Sequence, residues 1–260
     1  MTGVELRVVS GKNIVDHTDA EIDAIVAAVR ARGMTVLSIA SPVLKCVLPD
    51  APAIDPRFQQ DVFGATYTID DQPHLTARAF QIARRTGARI VRVFSYWRTV
   101  DPDACFGRVC DALRQLADEA QTQGLIVGLE NEHACNIATA AESARLLAAV
   151  DHPALQLIWD PANAYVVGEV PYPGGYSLLP KGRIVHVHAK DCRVDGQKPI
   201  WGELGKMDLD WKGQIAALRR DGYRGSISLE THWRGPDGDR LAASKICARA
   251  LADMVSEGAS

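Results

Sequence analysis

Short runs of β-branched residues alternate along this chain with longer segments whose apolar residues recur at helical spacing. Strands are predicted at Val4–Val9, Met34–Ala40, Ala88–Ser95, Leu125–Glu130, Leu155–Asp160, Arg183–Ala189 and Ser226–Glu230. Helices are predicted between them at about 18–32, 72–86, 103–123, 139–150, 210–221 and 239–255. Repeated strand–helix–strand units of this kind build a parallel sheet, so the pattern predicts an α/β fold.

The 260 residues contain no linker-like boundary, low-complexity tract or close repeat, so we expect a single domain over residues 1–260. One crossover, between residues 160 and 183, lacks a clear helical pattern and contains the run PYPGGYSLLP. Two long loops follow predicted strands, at about 41–72 and 192–209. Long loops after the strands of an α/β barrel are candidate lids over an active site.

Composition narrows the classes of partner. The net charge is −3 and no basic stripe is visible, so no nucleic-acid partner is expected. No apolar run approaches the length of a membrane span, so no membrane partner is expected. The first residues, MTGVELRVVSGK, lack a signal-peptide pattern, and the six cysteines form no CxxC pair. These features predict a cytoplasmic protein with reduced thiols.

Four predicted strands end in a side chain that can bind a metal ion. The ends read GLE, IWD, HVH and SLE, and their last residues are Glu130, Asp160, His188 and Glu230. Consecutive members of the set are separated by about one βα unit, so they come from consecutive strands. Alternate residues of a strand face the same way, and placing these four inward leaves apolar residues facing the helices in every strand. A barrel brings such strand ends to one point.

Three carboxylates and one imidazole suit a hard or borderline divalent cation and leave positions open for substrate or water. Mn²⁺, Mg²⁺, Co²⁺ and Zn²⁺ all fit this set. The alternative is that these polar residues only cap neighbouring helices at the strand ends. Four such residues in consecutive units, all with matching parity, favour one bound divalent metal.

The motifs around these residues resemble a known family. LEN at 129–131, WDPAN at 159–163, HVHAKD at 186–191 and LETHW at 229–233 are similar to motifs of the xylose isomerase-like TIM-barrel superfamily of sugar phosphate isomerases and epimerases. VELR at 4–7 and SIASP at 38–42 extend the resemblance to nearly the whole chain. That group includes ketose 3-epimerases, hydroxypyruvate isomerases, inosose-processing enzymes and the endonuclease IV branch. The resemblance implies a (β/α) TIM-type barrel.

The resemblance also implies a metal site and a chemistry. Glu130, Asp160, His188 and Glu230 match the metal ligands of the family, and its two glutamates also handle protons. The implied reaction is proton abstraction next to a carbonyl of a small sugar or polyol, with one glutamate removing the proton and the other returning one. Return to the opposite face gives epimerisation, and return to the neighbouring carbon gives isomerisation.

Three substrate contacts of the ketose 3-epimerases differ in this chain. Their histidine three residues after the metal aspartate is replaced by Asn163, and their glutamate six residues after the first metal glutamate by Asn136. Their arginine six residues after the metal histidine is replaced by Val194, with Arg193 adjacent. The resemblance therefore carries over the metal site but does not imply a free ketohexose as substrate.

Four residues are candidates for substrate binding, and Asn163 is one because of its place in the family motif. His133, in the loop ENEHACN, either contacts substrate or lies in a solvated loop. Lys190 either neutralises a substrate oxyanion or phosphate or pairs with Asp191. Arg92 has inward parity in mid-strand and must be paired, either in a structural ion pair, which we prefer, or as a substrate anchor.

One further histidine and three tryptophans occur near the predicted site. His186, one layer below His188, is interpreted as a core histidine bonded to a polar neighbour. Trp97, Trp201 and Trp233 lie in loops after strands, where they either line the substrate pocket or simply pack.

Seven strands are predicted, whereas a TIM barrel has eight. In the family the VELR-like strand is the second, so the first βα unit is missing here or the start site is misassigned. A barrel open at this point exposes unpaired backbone groups. We therefore expect a loop, a terminal helix or the partner in a homodimer to cover the edge.

Several functions remain open on the sequence. The leading hypothesis is a metal-dependent sugar isomerase or epimerase, and a dehydratase of the inosose or dehydroshikimate type would use the same site. An endonuclease IV-like enzyme would need more histidines and a basic surface, and this chain has seven histidines and an acidic balance. A non-catalytic barrel is a further alternative, which the intact ligand set disfavours.

Overall fold

The structure is a computed structural model that describes residues 1–58, 66–196 and 198–257. Contacts group the chain into two compact units. Unit one consists of Met1–Glu130, Ala134–Ile137 and Leu146–Gln156, and unit two of Asn131–His133, Ala138–Arg145 and Leu157–Ser260. The predicted single domain stays a prediction.

Eleven strands occur in the described residues. They are β1 (Gly3–Leu6), β2 (Val8–Val9), β3 (Lys12–Asn13), β4 (Thr35–Ile39), β5 (Ile90–Val93), β6 (Ile126–Glu130), β7 (Leu155–Trp159), β8 (Ile184–Ala189), β9 (Asp191–Asp195), β10 (Lys198–Gly202) and β11 (Ser226–Leu229). Seven of these are the parallel strands of the βα units: β1, β4, β5, β6, β7, β8 and β11. The predicted α/β class and the count of seven strands are confirmed.

Eight α-helices occur in the described residues. They are α1 (Asp19–Arg30), α2 (Gln72–Thr86), α3 (Pro102–Thr122), α4 (Ala140–Val150), α5 (Pro161–Val166), α6 (Tyr176–Leu178), α7 (Trp211–Arg220) and α8 (Arg240–Glu257). Thr18 accepts a hydrogen bond from the Glu21 backbone while the Glu21 side chain accepts one from Thr18, which is a capping box at the start of α1.

Unit one contains the first four parallel strands, in the spatial order β1, β4, β5, β6. Arg92 on β5 lies opposite Gly128 on β6, so an arginine side chain has a residue without a side chain as its neighbour. Val91, Val127 and Leu129 are completely buried. Along these strands the buried apolar residues alternate with Arg92 and Glu130. Because β5 and β6 are paired, Arg92 and Glu130 lie on two adjacent strands of one unit.

Unit two contains β8 between β11 and the last three residues of β7. His188 on β8 lies opposite Ser228 on β11, and His186 lies opposite Ile158 on β7. Glu230 follows the end of β11, where its backbone N–H donates to the Ala189 carbonyl at 3.0 Å. The register thus brings the ends of the last three parallel strands to the same level.

The first predicted strand, Val4–Val9, was wrong in its length. β1 ends at Leu6, and β2 turns back to pair antiparallel with β3. Ser10 and Gly11, between the two short strands, both have positive φ, at 52° and 79°. A tight hairpin of this kind needs two left-handed residues, and glycine supplies one of them at no steric cost. Val8 and Val9 therefore form a strand, but this strand pairs with β3 and is not part of the parallel sheet.

Two loop predictions were also incomplete. Within 192–209 the chain forms an antiparallel hairpin of β9 and β10. The crossover between 160 and 183 contains the short helices α5 and α6, since proline at the first position of α5 fits the start of a helix. The 41–72 loop contains a 3₁₀ turn at Pro56–Phe58, and its residues 59–65 lie outside the described residues.

Candidate metal centre

Three of the predicted ligands meet within unit two. Asp160, His188 and Glu230 each offer a ligand atom, and these atoms lie within 4.8 Å of one another. The Asp160 and His188 residues are 0% and 1% exposed, whereas the Glu230 side chain is 21% exposed. The cluster therefore combines two buried ligands with one that solvent or a small molecule can reach.

Local hydrogen bonds fix the Asp160 carboxylate. β7 stops one residue earlier than predicted because Asp160 is the N-cap of α5, and its Oδ1 accepts from the Asn163 backbone at 3.0 Å. The Asn131 side chain holds the Asp160 backbone from both sides, accepting from its N–H at 2.7 Å and donating to its carbonyl at 2.8 Å. The cap uses one carboxylate oxygen, and Oδ2 points to the cluster.

Lys190 lies among the predicted ligands. Its Nζ is 2.7 Å from Asp160 Oδ2 and 2.8 Å from Glu230 Oε2, and the side chain is 2% exposed. The indole nitrogen of Trp211 donates to the Lys190 carbonyl at 3.0 Å, which fixes the backbone below it. The sequence offered substrate binding or pairing with Asp191 as roles for this lysine. Sequence reasoning missed the bridge to the two ligand carboxylates, because no local motif marks it.

The Asp191 carboxylate serves the backbone of the following loop. It accepts hydrogen bonds from the N–H groups of Cys192, Gly205, Met207 and Leu209, at 2.8 to 3.3 Å. Burial raises the pKa of Asp191 to about 6, although these N–H donors act in the opposite direction. Asp191 thus anchors the chain after β10 close to the site.

His133 lies in a polar pocket of the same unit. Its Nδ1 is 2.9 Å from Asn163 Oδ1 and 2.7 Å from Glu132 Oε1, and the residue is 9% exposed. Burial by itself lowers the pKa of His133, but the Glu132 carboxylate and the Asn163 oxygen outweigh it, so the pKa is raised. The reading of His133 as a solvated loop residue was wrong, because the side chain is enclosed.

Trp201, on β10, lies next to this pocket. Its ring centroid is 6.5 Å from that of His133 and 4.6 Å from that of His232. The Lys190 ammonium is 5.8 Å from the Trp201 ring centroid. Of the three tryptophans considered from the sequence, Trp201 is the one whose ring contacts the histidine and lysine of this site.

Two other candidates lie together in unit one. Arg92 Nη1 is 3.1 Å from Glu130 Oε2, and the two side chains are 6% and 1% exposed. Arg92 also donates to the carbonyls of Ala40 and Ser41, at 3.1 and 3.4 Å, and stacks over Phe94. The geometry agrees with the preferred reading of Arg92 as a structural ion pair, and its role as a substrate anchor stays a prediction.

Two polar residues have structural roles. Asn136, which replaces a glutamate of the epimerases, accepts from the Thr99 N–H and donates to the Ser95 carbonyl, both at 3.0 Å. His186 Nε2 is 2.8 Å from Ser228 Oγ, and His186 is 1% exposed. The interpretation of His186 as a core histidine bonded to a polar neighbour agrees with this contact.

The donor chemistry of the cluster fits a divalent metal. Two carboxylates and an imidazole are hard and borderline ligands that bind Mg²⁺, Mn²⁺ or Zn²⁺. The buried carboxylates are already next to a cation, the Lys190 ammonium, so this part of the protein stabilises positive charge. Asp160, His188 and Glu230 are the residues of unit two that could hold the ion.

The family model for the xylose isomerase-like TIM barrel matches residues 1–251, so the chain belongs to that family. Its fold class is therefore the TIM barrel, as the sequence motifs implied. No curated protein matches the sequence significantly. None of the helices in the described ranges has the length and hydropathy that a membrane span requires.

Solved structures with the same fold include enzymes of more than one kind. The IolI protein, solved with a bound zinc atom, has a TM-score of 0.68 at 15% identity, over 93% of this chain and 83% of that one. D-psicose 3-epimerase with D-tagatose, from Clostridium cellulolyticum H10, has a TM-score of 0.66 at 18% identity, over 92% and 83%. The probable 3-DHS dehydratase AsbF from Bacillus anthracis has a TM-score of 0.63 at 15% identity, over 90% and 81%.

A fusion protein of a xylose isomerase-like TIM barrel and 4-hydroxyphenylpyruvate dioxygenase is also similar, with a TM-score of 0.68 at 20% identity. This chain is covered over 96% of its length but spans 37% of the fusion protein. Similarity at these identities shows the fold alone.

Proposed function

We propose that this protein is a divalent-metal-dependent isomerase or epimerase that acts on a small sugar or polyol. The observation that carries the proposal is the meeting of Asp160, His188 and Glu230 with ligand atoms within 4.8 Å. We further propose that Glu130, at the end of β6, completes the ligand set, as the family motifs imply. The bound metal would be Mn²⁺, Mg²⁺, Co²⁺ or Zn²⁺.

In the proposed reaction the metal ion and the protein side chains have different roles. When bound, a divalent cation there would polarise a substrate carbonyl and stabilise negative charge on its oxygen. Glu230, the partly exposed ligand, is placed to take or return the proton on the carbon next to that carbonyl. Glu130 is proposed for the opposite proton transfer, and its carboxylate lies 3.1 Å from the Arg92 guanidinium.

The substrate pocket differs from that of a ketose 3-epimerase. Asn163 stands where those enzymes have a substrate-contacting histidine, and it binds the imidazole of His133. We therefore propose that the substrate is bound by His133, Asn163, Lys190 and Arg92. We also propose that this substrate is not a ketohexose. A dehydratase of the inosose or dehydroshikimate type is the second candidate, since a buried histidine next to Glu132 could protonate a leaving hydroxyl.

Metal analysis and hydrogen exchange test the proposal together. Purified protein reconstituted with Mn²⁺, Mg²⁺, Co²⁺ or Zn²⁺ should hold about one ion per chain, as expected for one four-ligand site. Incubation in D₂O with a panel of ketoses, hydroxypyruvate, an inosose and 3-dehydroshikimate should introduce deuterium next to a carbonyl. Net loss of water would identify the dehydratase.

Glu230→Gln should abolish metal retention and exchange, while Glu257→Gln, on the exposed end of α8, serves as the matched control and should leave both unchanged. Protein that retains far less than one ion after reconstitution would contradict the proposal. That result would favour a non-catalytic barrel. Binding and cleavage of abasic DNA would instead favour an endonuclease.

A further inference from the structure

The imidazole of His133 has a defined orientation. Nδ1 forms a hydrogen bond with Asn163 Oδ1 at 2.9 Å and an ion pair with Glu132 Oε1 at 2.7 Å. Both partners are oxygen acceptors, and an ionised carboxylate can only accept. Nδ1 therefore carries the proton, and in the neutral ring Nε2 is the nitrogen with the lone pair.

The orientation of Asn163 supports this assignment of the proton. Oxygen and nitrogen of an asparagine side chain are distinguished by their network. Asn163 Nδ2 donates to the Asn131 carbonyl at 2.9 Å, so Oδ1 is the atom that faces His133. The Asn163 backbone is tied to Asp160 Oδ1 at 3.0 Å, and the residue is completely buried. The acceptor for Nδ1 is thus held in place by the first turn of α5, whose N-cap is the predicted metal ligand Asp160.

Nε2 lies on the other edge of the ring. Among residues 1–58, 66–196 and 198–257, the structure gives it no hydrogen-bond partner, although His133 is 91% buried. The neighbours of the His133 ring include the Trp201 ring, 6.5 Å away between centroids. The Lys190 ammonium lies 5.8 Å from that same ring. Nε2 is therefore available as a base on a residue that we propose for substrate binding.

The charges around His133 allow it to hold a second proton. Glu132 compensates an imidazolium directly, while Lys190 opposes it from a greater distance. Burial alone disfavours the charged ring, yet the balance raises the pKa of His133. A carboxylate that orients an imidazole through Nδ1 and stabilises its charged form is the arrangement of a histidine that transfers protons through Nε2.

We propose that His133 transfers a proton between two oxygens of the substrate, and that Glu132 and Asn163 are the positioning residues that hold its ring. The inference rests on the proposed function and deepens it. Isomerisation of an α-hydroxy carbonyl compound needs such a transfer, because the hydroxyl proton must reach the former carbonyl oxygen. Epimerisation at carbon does not need it. The chemistry of the site thus favours an isomerase.

The proton transfer balances within the site. After the proton on the hydroxyl-bearing carbon has moved to a glutamate, the hydroxyl O–H bond on that same carbon breaks and an Nε2–H bond forms on His133. That oxygen becomes the new carbonyl oxygen. The imidazolium, balanced by Glu132, then gives its proton to the former carbonyl oxygen, and a glutamate delivers a proton to the former carbonyl carbon. No oxidant, reductant or further reactant is required.

Nuclear magnetic resonance tests the orientation without any substrate. Mg²⁺-loaded protein labelled with ¹⁵N-histidine has seven histidines, and His133→Gln identifies the signal of interest. We expect the neutral ring to carry its proton on Nδ1, and Glu132→Gln to lower the measured pKa of His133 by about 1 or more. Glu257→Gln is the control and should not change it. A proton on Nε2, or a pKa that Glu132→Gln leaves unchanged, would overturn the inference.

Kinetics test the transfer itself. The probes are hydroxypyruvate, D-fructose and D-tagatose in D₂O, with deuterium at carbon and net isomerised product measured separately. In His133→Gln we expect product formation to fall about 100-fold, as for loss of a general acid–base group, while deuterium uptake at carbon stays within about threefold. Metal affinity should not change. A parallel fall of both rates, or lost metal binding, would show a merely structural role.

The two proposals fail in different ways. If no probe takes up deuterium in the native protein with metal bound, the proposed function fails for these substrates, and resonance data alone decide the orientation of His133. If the native protein only epimerises, the proposed function stands and the oxygen-to-oxygen transfer is overturned. If Glu132→Gln lowers product formation and Glu132→Asp restores part of it, the positioning role of Glu132 is supported.

Discussion

The ammonium of Lys190 lies 2.7 Å from the carboxylate of Asp160, and the two side chains are 2% and 0% exposed. The same ammonium is 2.8 Å from Glu230. A cation thus bridges two carboxylates that the sequence identifies as metal ligands. Because a divalent ion would use the same oxygens, the lysine and the metal are expected to compete for negative charge.

Replacing Lys190 with methionine should tighten metal binding. The change removes a competing positive charge while keeping a long side chain, so we expect the dissociation constant for Mg²⁺ or Mn²⁺ to fall about tenfold or more. Without metal the variant should be less stable, because it leaves buried carboxylates uncompensated. Titration calorimetry and thermal unfolding with and without metal measure both effects.

Lys212→Met is the matched control for this change. Its side chain is 71% exposed and pairs with Glu257 at the surface, so neither quantity should change appreciably. Weaker metal binding in the Lys190 variant would show that the lysine supports the site rather than competing with the ion.

Asp160→Asn should separate the two tasks of this residue. Asparagine is a good N-cap, so the start of α5 should persist, whereas the charge that binds Lys190 and the metal is lost. We expect metal retention to disappear while the far-ultraviolet circular dichroism stays unchanged. Asp210→Asn, at the cap of α7, is the control and should keep its metal. Full metal occupancy in the Asp160 variant would contradict its assignment as a ligand.

Arg92→Met should destabilise the protein strongly. The ion pair with Glu130 is buried, and removing one partner leaves an uncompensated charge, which costs about 3–5 kcal/mol of unfolding free energy. Bound metal should restore part of the loss if Glu130 is a ligand. Urea unfolding with and without Mn²⁺ measures this. Arg114→Met, at an exposed pair with Asp111, should cost under about 1 kcal/mol.

The Asp191 carboxyl should make stability depend on pH. Its pKa in the folded protein is about 6, above the ordinary value of 3.8, because the group is buried. The folded state then binds the proton more tightly than the unfolded state, so this contribution is present at low pH and is lost as the pH rises toward 6. Relative to Asp191→Asn, the free energy of unfolding should fall between about pH 4 and about pH 6.5. A difference that rises or stays constant over this range would contradict the assignment.

We also propose that the chain forms a homodimer or otherwise covers a sheet edge. In the described residues, β1 pairs only with β4 and β11 only with β8 among the parallel strands, and all four residues of β11 are partly exposed. Unpaired edge groups favour association. Light scattering coupled to gel filtration should show a dimer at micromolar concentration. A monomer at all concentrations, with rapid amide exchange along β11, would argue that this sheet edge is not covered.

The sequence predicted the fold through short-range patterns. The period of apolar residues changes between strands and helices, and six of the seven parallel strands lie within a run that this period marks, while β1 begins one residue before its run. It predicted Val4–Val9 as one strand because Val8–Val9 also favours strand, and only the turn at Ser10–Gly11 removes that pair from the sheet. The local residue pattern indicates the propensity of a segment to form a strand. Which strand that segment pairs with depends on where the chain turns.

The sequence by itself also determined the chemical types at the strand ends, so Asp160, His188 and Glu230 could be named in advance. Only the tertiary structure decided that Lys190 bridges two of them and that Glu132 and Asn163 fix the His133 ring. The physical reason is distance along the chain. The position of a residue along its strand determines toward which face of the sheet its side chain points. The contacts of Lys190 with Asp160 and Glu230, and that of His133 with Asn163, instead join residues about 30 or more positions apart, whose approach no local pattern encodes.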